Sequence, residues 1–135
     1  MKVKDLDGNE SNLNLTKKKC RDRKKSAIFE KAHELIKLVF PNLSICTEIA
    51  ITIKRGKTLY LDMYLPTLDI AVEVHGKQHY EYTPHYHKHK HRFGRAKLND
   101  DLKKEWCELN DIRYVELAYN ESREQWADKL RAAVR

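Results

Sequence analysis

The run Leu59-Tyr60-Leu61-Asp62-Met63-Tyr64-Leu65-Pro66-Thr67-Leu68-Asp69-Ile70-Ala71-Val72-Glu73-Val74-His75 decides the fold. Leu59, Leu61, Met63 and Leu65 alternate with Tyr60, Asp62 and Tyr64, and Ile70, Val72 and Val74 alternate with Ala71, Glu73 and His75. A period of two marks strands with one apolar and one polar face. Pro66 to Asp69 reads as a four-residue turn, so the strands form a hairpin in which Leu65 pairs with Ile70. Counting back from that pair sets Asp62 opposite Glu73 and Tyr60 opposite His75, all four on one face. Directly opposed Cβ atoms lie about 4.5–5.5 Å apart, where two carboxylates repel. A cation between them removes the repulsion. Magnesium, which takes oxygen ligands and keeps several waters, suits that place, and Mn²⁺ should substitute for it. The bland alternative pairs each acid with a lysine on a solvated sheet face.

Working outward, Ile45 to Ile53 reads as a strand with Arg55-Gly56-Lys57 as its turn. Before it, a helix spans Lys24 to Phe40, with Ile28, Ala32, Leu35, Ile36 and Val39 on one face and Pro41 as its stop. Residues 1–15 are polar around Asp7-Gly8-Asn9, a turn signal, and read as a short loose arm or hairpin. After the central hairpin comes a basic, histidine-rich stretch read as a long loop. A helix from Ala96 to Asn110 then carries Leu98, Leu102, Trp106 and Leu109 on one side. Ile112 to Leu117 looks like a buried strand. The last helix, Glu121 to Val134, turns Trp126, Leu130 and Val134 inward. The order α-β-β-β-α-β-α defines an α/β fold. A basic polar arm over residues 1–23 precedes a single domain over 24–135, since a chain this short leaves little room for a second core.

The formal net charge is +7, and it is clustered. One block holds Lys17, Lys18, Lys19, Arg21, Arg23, Lys24 and Lys25; another, from His85 to Lys97, holds Lys88, Lys90, Arg92, Arg95 and Lys97 with no acid. Such blocks attract a polyanion, nucleic acid above all, although lysine runs also serve simply to solvate a surface. Cys20, Cys46 and Cys107 are odd in number and widely spaced, which argues against a disulfide framework. No stretch approaches the roughly 18 apolar residues of a spanning helix, and the charged N-terminus is no signal peptide. The expected setting is a cytoplasm, with no membrane partner.

Asp62 followed by Glu73-x-His75 resembles the Asp…(Asp/Glu)-x-Lys nuclease superfamily, whose fold is restriction-endonuclease-like. More closely, Leu61-Asp62-x-x-Leu65-Pro66 … Ala71-Val72-Glu73-Val74-His75-Gly76-x-Gln78-His79-Tyr80 is similar to the very-short-patch-repair endonuclease branch and its phage-borne homing and nicking relatives. Asp100-x-x-Lys103-x-x-Trp106-Cys107 and Asn110-x-Ile112-Arg113 continue the likeness, and Glu30 matches a glutamate of the first helix. The resemblance runs from Ser26 to Asn120. It implies a mixed four-stranded sheet flanked by helices, and a Mg²⁺-dependent endodeoxyribonuclease. Its metal ligands would be Asp62 and Glu73, with Glu30, His75, His79 and Asp100 completing the catalytic set. Histidine stands where the superfamily has lysine. By likeness, His75 and His79 share the proton work, a task suited to a side chain with an unperturbed pKa of about 6.5.

Several residues retain a plainer reading. Gln78 and Lys77 follow the strand and are placed near a phosphate, as are Lys17, Lys18, Lys19, Lys24, Lys88, Lys90, Arg92 and Lys103. Asp100 and Lys103, three apart on a helix, also fit an ordinary surface ion pair. His85, His87, His89 and His91 alternate as zinc ligands could, but no cysteine lies close and the run is interleaved with Lys88, Lys90 and Arg92, so a structural Zn²⁺ is disfavoured. Tyr80, Tyr82, Tyr86 and Phe93 could stack on exposed bases. The expected partner is DNA, cut as by a homing or nicking enzyme or a mismatch-repair nickase; a homodimer is compatible with the chain. Competing readings are a Holliday-junction resolvase, a nuclease acting on RNA, and a non-catalytic DNA-binding protein of the same fold.

Overall fold

The computed structural model describes residues 1–15, 26–77, 80 and 90–134. Its main sheet has the order β3-β4-β5-β6, formed by Cys46–Lys54, Lys57–Leu65, Ile70–His75 and Arg113–Ala118. The first three strands are antiparallel neighbours and β6 runs parallel to β5. Helix α1 (Ala27–Val39) precedes the sheet, α2 (Lys90–Leu109) crosses from β5 to β6, and α3 (Arg123–Ala132) closes the chain. The expected order and the mixed four-stranded sheet are therefore both present. Among the described residues, no helix is long and apolar enough to cross a membrane.

Strand alternation sends side chains into two cores. Met63, Leu65, Ile70, Val72 and Val74 meet Phe29, Ala32, Leu35 and Ile36 of α1 and Trp126, Ala127 and Leu130 of α3. Tyr64 and Ala71 meet Trp106 and Cys107 of α2. The sheet thus lies between α1 and α3 on one face and α2 on the other. Ser26 caps α1 by accepting from Phe29 N–H at 3.2 Å, and Ser122 with Gln125 forms a capping box on α3.

The N-terminal residues are no loose appendage. Strands β1 (Lys2–Lys4) and β2 (Glu10–Asn12) form a hairpin whose Asp5 accepts from the N–H groups of Asp7 and Asn9. Val3 and Leu13 are buried in the α2-side core, and Asn110 bonds both the N–H and the C=O of Lys4. Of the two readings of residues 1–15, loose arm or hairpin, the structure has the hairpin, and two of its apolar side chains gain burial against the α2-side core.

Helix α2 begins at Lys90, so Lys90 to Arg95, expected in the loop, are helical. No apolar residue recurs there at helical spacing, and periodicity is silent about a polar turn. The inward face also differs. Leu98 and Leu109 are exposed, while Trp106, as expected, and Cys107 are fully buried and Leu102 packs partly on the same core, which turns Lys103 and Asp100 toward the sheet. Val134, expected inward, lies beyond the end of α3 and is exposed.

Candidate active site

The β4–β5 ladder runs through Leu65↔Ile70, Tyr64↔Ala71 and Met63↔Val72. One step further, side chains replace backbone carbonyls as acceptors. Asp62 N–H donates to Glu73 Oε2 at 2.6 Å, and Val74 N–H donates to Asp62 Oδ2 at 2.9 Å. The two carboxylates are thereby fixed between the strands, where the expected register puts them. Glu73 is only 1% exposed. Its carboxyl is raised above the ordinary glutamate value by burial and then by Asp62, with the Lys103 ammonium pulling the other way.

Lys103 Nζ lies 2.6 Å from Glu73 Oε1. Burial alone would lower its pKa, but Glu73 and Asp62 outweigh it and hold it above the ordinary lysine value. The placement follows from α2. Trp106 and Cys107 pack on Tyr64 and Ala71, so the preceding turn meets Glu73 and the next meets His75. The sequence offered Lys103 as a phosphate contact or as half of a surface pair. In the structure it is a half-buried ammonium paired with Glu73.

His75 is 3% exposed. Its Nδ1 lies 3.2 Å from Glu116 Oε1 and its Nε2 lies 3.7 Å from Asp100 Oδ1. Tyr80 O–H donates to the other oxygen of Glu116, and the Tyr80 and His75 rings sit 5.9 Å apart. The His75 bond, then that from Tyr80, hold the Glu116 carboxyl down at about 2 against the effect of burial. Burial and the bond to Glu116 push the Tyr80 phenol well above its ordinary value. Glu116 pairs in register with Glu73, and its own carbonyl accepts from Lys129 of α3 at 2.7 Å, which ties β6 to the outer layer.

A cleft of about 270 Å³ opens on this face, lined by Glu48, Tyr60, Asp62, Asn99, Asp100 and Lys103 among others. Glu48 lies between the pairs Thr47↔Met63 and Ile49↔Leu61, hence opposite Asp62, and has a φ of +52°. That left-handed conformation is uncommon for a residue other than glycine.

Of the expected site residues, Asp62, Glu73, His75, Asp100 and Lys103 are brought together. Glu30 is not. It is exposed in the first turn of α1, in the layer on the opposite face of the sheet. Lys77 is exposed just after β5, and Lys90 and Arg92 fall in the first turn of α2. His79, Gln78, Lys17, Lys18, Lys19, Lys24 and Lys88 lie outside the described residues, as do His85, His87 and His89 of the zinc reading. Cys46 and Cys107 are free thiols, and burial followed by Glu73 pushes Cys107 up to about 12. Glu48, Glu116 and the role of Tyr80 were missed from the sequence, since each depends on contacts between elements distant along the chain.

The donor set fits a hard, oxygen-seeking divalent ion better than a thiolate- or imidazole-seeking one. Glu73 is buried, Asp62 beside it is half-buried, and the Lys103 ammonium pairs with Glu73. Among the described residues no group of three or more His, Cys, Asp and Glu side chains is placed to hold a metal. Two carboxylates with water completing the shell is, however, an ordinary way to hold Mg²⁺.

No protein-family model and no solved structure matches the chain. It is similar to uncharacterized protein 307L of Invertebrate iridescent virus 6, 39% identical over 67 residues, which are 49% of this chain and 34% of that protein. Uncharacterized protein 033L of Invertebrate iridescent virus 3 is 33% identical over 64 residues, 47% of this chain and 33% of that one. Uncharacterized protein 094L of Frog virus 3 (isolate Goorha) is 36% identical over 69 residues, 47% of this chain and 42% of that one. The matched region thus covers well under two thirds of each viral relative.

Proposed function

We propose that this chain is a Mg²⁺-dependent DNA endonuclease with a restriction-endonuclease-like core, hydrolysing phosphodiester bonds at the cleft between β4 and α2. The observation that carries the reading is the carboxylate pair Asp62 and Glu73, fixed by reciprocal bonds to each other's strand at the edge of an open cleft. Two carboxyl groups facing each other, Glu73 buried and Asp62 half-buried, are costly to ionise together, and a site that binds a cation explains why both are there.

Asp62 and Glu73 would hold the ion, and the chemistry it supplies is charge neutralisation at the phosphate and activation of water near neutral pH. His75, fixed by Glu116 at Nδ1, presents Nε2 toward Asp100, which lines the cleft, and can hold or pass a proton to it. The net charge of +7 supports a polyanionic substrate. The basic runs around Lys17 and Lys88 would track phosphates and bring DNA over the site.

The test is to incubate the full chain with supercoiled, linear and four-way-junction DNA, and with RNA, in Mg²⁺ or in EDTA. Cleavage of DNA in Mg²⁺ and none in EDTA is expected. Binding without cleavage on every substrate would return the chain to the class of non-catalytic DNA-binding proteins.

A further inference from the structure

The hairpin of β3 and β4 ends on positive charge. Lys54 and Lys57 are its last paired residues, and Arg55 with Gly56 makes the turn between them. Lys54 and Arg55 are exposed and Lys57 is half-buried. From Ile49 to Leu61 the chain carries these three cations and no acid. Two like charges directly opposed across a ladder destabilise it. Lysine on an edge strand such as β3 discourages pairing with another sheet, but Lys57 belongs to the inner strand β4 and Arg55 to the turn. An anion lying over the tip removes the repulsion for all three.

The tip is also braced. Leu6 N–H, in the loop of the β1–β2 hairpin, donates to the Ile53 carbonyl at 2.8 Å, and Ile53 is fully buried. Between the tip and the cleft, the face of β4 that carries Asp62 stays open. Thr58 is exposed there, and Tyr60 is half-buried and lines the cleft. Lys57 precedes Asp62 by five residues, a span of about 17 Å at roughly 3.3 Å per residue. Phosphates of one DNA strand follow each other about every 3.4 Å along the axis, so the tip reaches about five base pairs from the carboxylate pair. That is too far to share one phosphate with it.

We propose that Lys54, Arg55 and Lys57 form a duplex-binding arm, which holds backbone phosphates several base pairs to one side of the phosphate cut at Asp62 and Glu73. The proposal rests on the nuclease reading above and adds to it a contact remote from the chemistry. A two-stranded ribbon matches the width of the major groove of B-form DNA, whose walls are lined with phosphates. The arm contributes affinity equally to substrate and transition state, because it does not touch the reacting atoms.

The test measures binding of a short mixed-sequence DNA duplex in EDTA at several salt concentrations, and cleavage of supercoiled DNA in Mg²⁺. Wild type is compared with the triple variant Lys54→Gln/Arg55→Gln/Lys57→Gln. A control, Lys31→Gln/Lys37→Gln/Arg131→Gln, removes the same charge from exposed positions of α1 and α3 behind the sheet. A third variant, Lys54→Arg/Arg55→Lys/Lys57→Arg, keeps the charge and guards against a misfolded tip. The neutral tip variant is expected to lower the slope of log affinity against log salt by about two to three, at roughly 0.9 per lost contact. It should bind at least roughly tenfold more weakly at physiological salt. Its cleavage rate at saturating DNA should stay within about twofold of wild type, with KM raised, as for loss of uniform binding. The control and the charge-conserving variant should keep the wild-type slope. A slope that the neutral tip variant leaves unmoved overturns the proposal, and so does an equal fall in the control, which would make the effect one of net charge. In either case wild-type cleavage leaves the nuclease reading standing. A wild-type chain that binds duplex but cleaves nothing removes the nuclease reading and, with the slope lowered in the tip variant alone, keeps the arm as a duplex contact.

Discussion

Asp62 and Glu73 are tied by a reciprocal exchange: the Asp62 N–H donates to Glu73, while the Asp62 carboxylate accepts from Val74, the residue after Glu73. Each carboxylate is therefore held by a backbone N–H of the other's strand, a donor that remains when the other acid's side chain is substituted. Asp62→Asn and Glu73→Gln are expected to abolish metal-dependent cleavage while leaving DNA binding equal or tighter, because repulsion of phosphate falls. Gel-shift and nicking assays on the same preparations check this. Full activity in either variant would remove that residue from the site.

The raised carboxyl of Glu73 makes a stability prediction. Its folded pKa lies above its unfolded value, so its contribution is complete below the ordinary glutamate range and is lost as pH rises through the folded value. In EDTA the melting temperature of wild type should therefore fall between the ordinary and the raised value, and Glu73→Gln should lack that component. Added Mg²⁺ or Mn²⁺ should restore stability at the upper end of the window. An ion at 100 times its Kd contributes about 2.7 kcal/mol. Melting curves at matched pH, with and without metal, would show it; identical curves would argue against an ion on this pair.

Glu116 behaves in the opposite sense. Its carboxyl is held at about 2, first by the bond from His75, so its contribution is present above the ordinary glutamate range and is lost as pH falls through about 2. Replacing His75 by Phe should return Glu116 toward the ordinary range, seen as a shifted carboxyl titration by NMR. The stability difference between the two proteins should shrink in acid. The same change should slow cleavage by roughly 10²–10⁴ if His75 handles a proton. An unmoved Glu116 titration would mean that Tyr80 and the Lys104 charge hold the carboxylate without His75.

The basic run before α1 makes a prediction about salt. Neutral substitution of Lys17, Lys18 and Lys19 should weaken DNA binding about equally across sequences. The slope of log affinity against log salt should fall by roughly 0.9 per lost phosphate contact. Binding isotherms at several salt concentrations measure it, and an unaltered slope would leave the run a solvating segment.

Gly94 lies within α2, and nothing stands within 4 Å of where a Cβ would be. Gly94→Ala should stabilise the helix by about 1 kcal/mol and raise the melting temperature by a few degrees. A lower melting temperature would show that the helix start needs the smaller residue.

The sequence by itself determined the central hairpin and its register. Side chains on a strand alternate, and the four-residue turn at Pro66 to Asp69 leaves one pairing, Leu65↔Ile70, from which the placement of Asp62 beside Glu73 follows. Tyr64 O–H holds that turn by donating to Asp69 at 2.8 Å. Those contacts are local, so pattern alone reached them. The rest of the site is not local. Counting back from Lys54↔Lys57 without interruption would set Glu48 opposite Met63. The irregularity between Thr52 and Lys54 shifts the register by one residue and brings Glu48 opposite Asp62 instead. Lys103 meets Glu73 across 30 residues because Trp106 and Cys107 fix which side of α2 faces the sheet; of the expected apolar face Trp106 and Leu102 turn inward, while Leu98 and Leu109 do not. Glu116 meets His75 only once β6 has paired with β5. Tertiary packing decided these because the rotation of a helix and the pairing of distant strands are set by how whole surfaces fit together, which no short window of sequence contains.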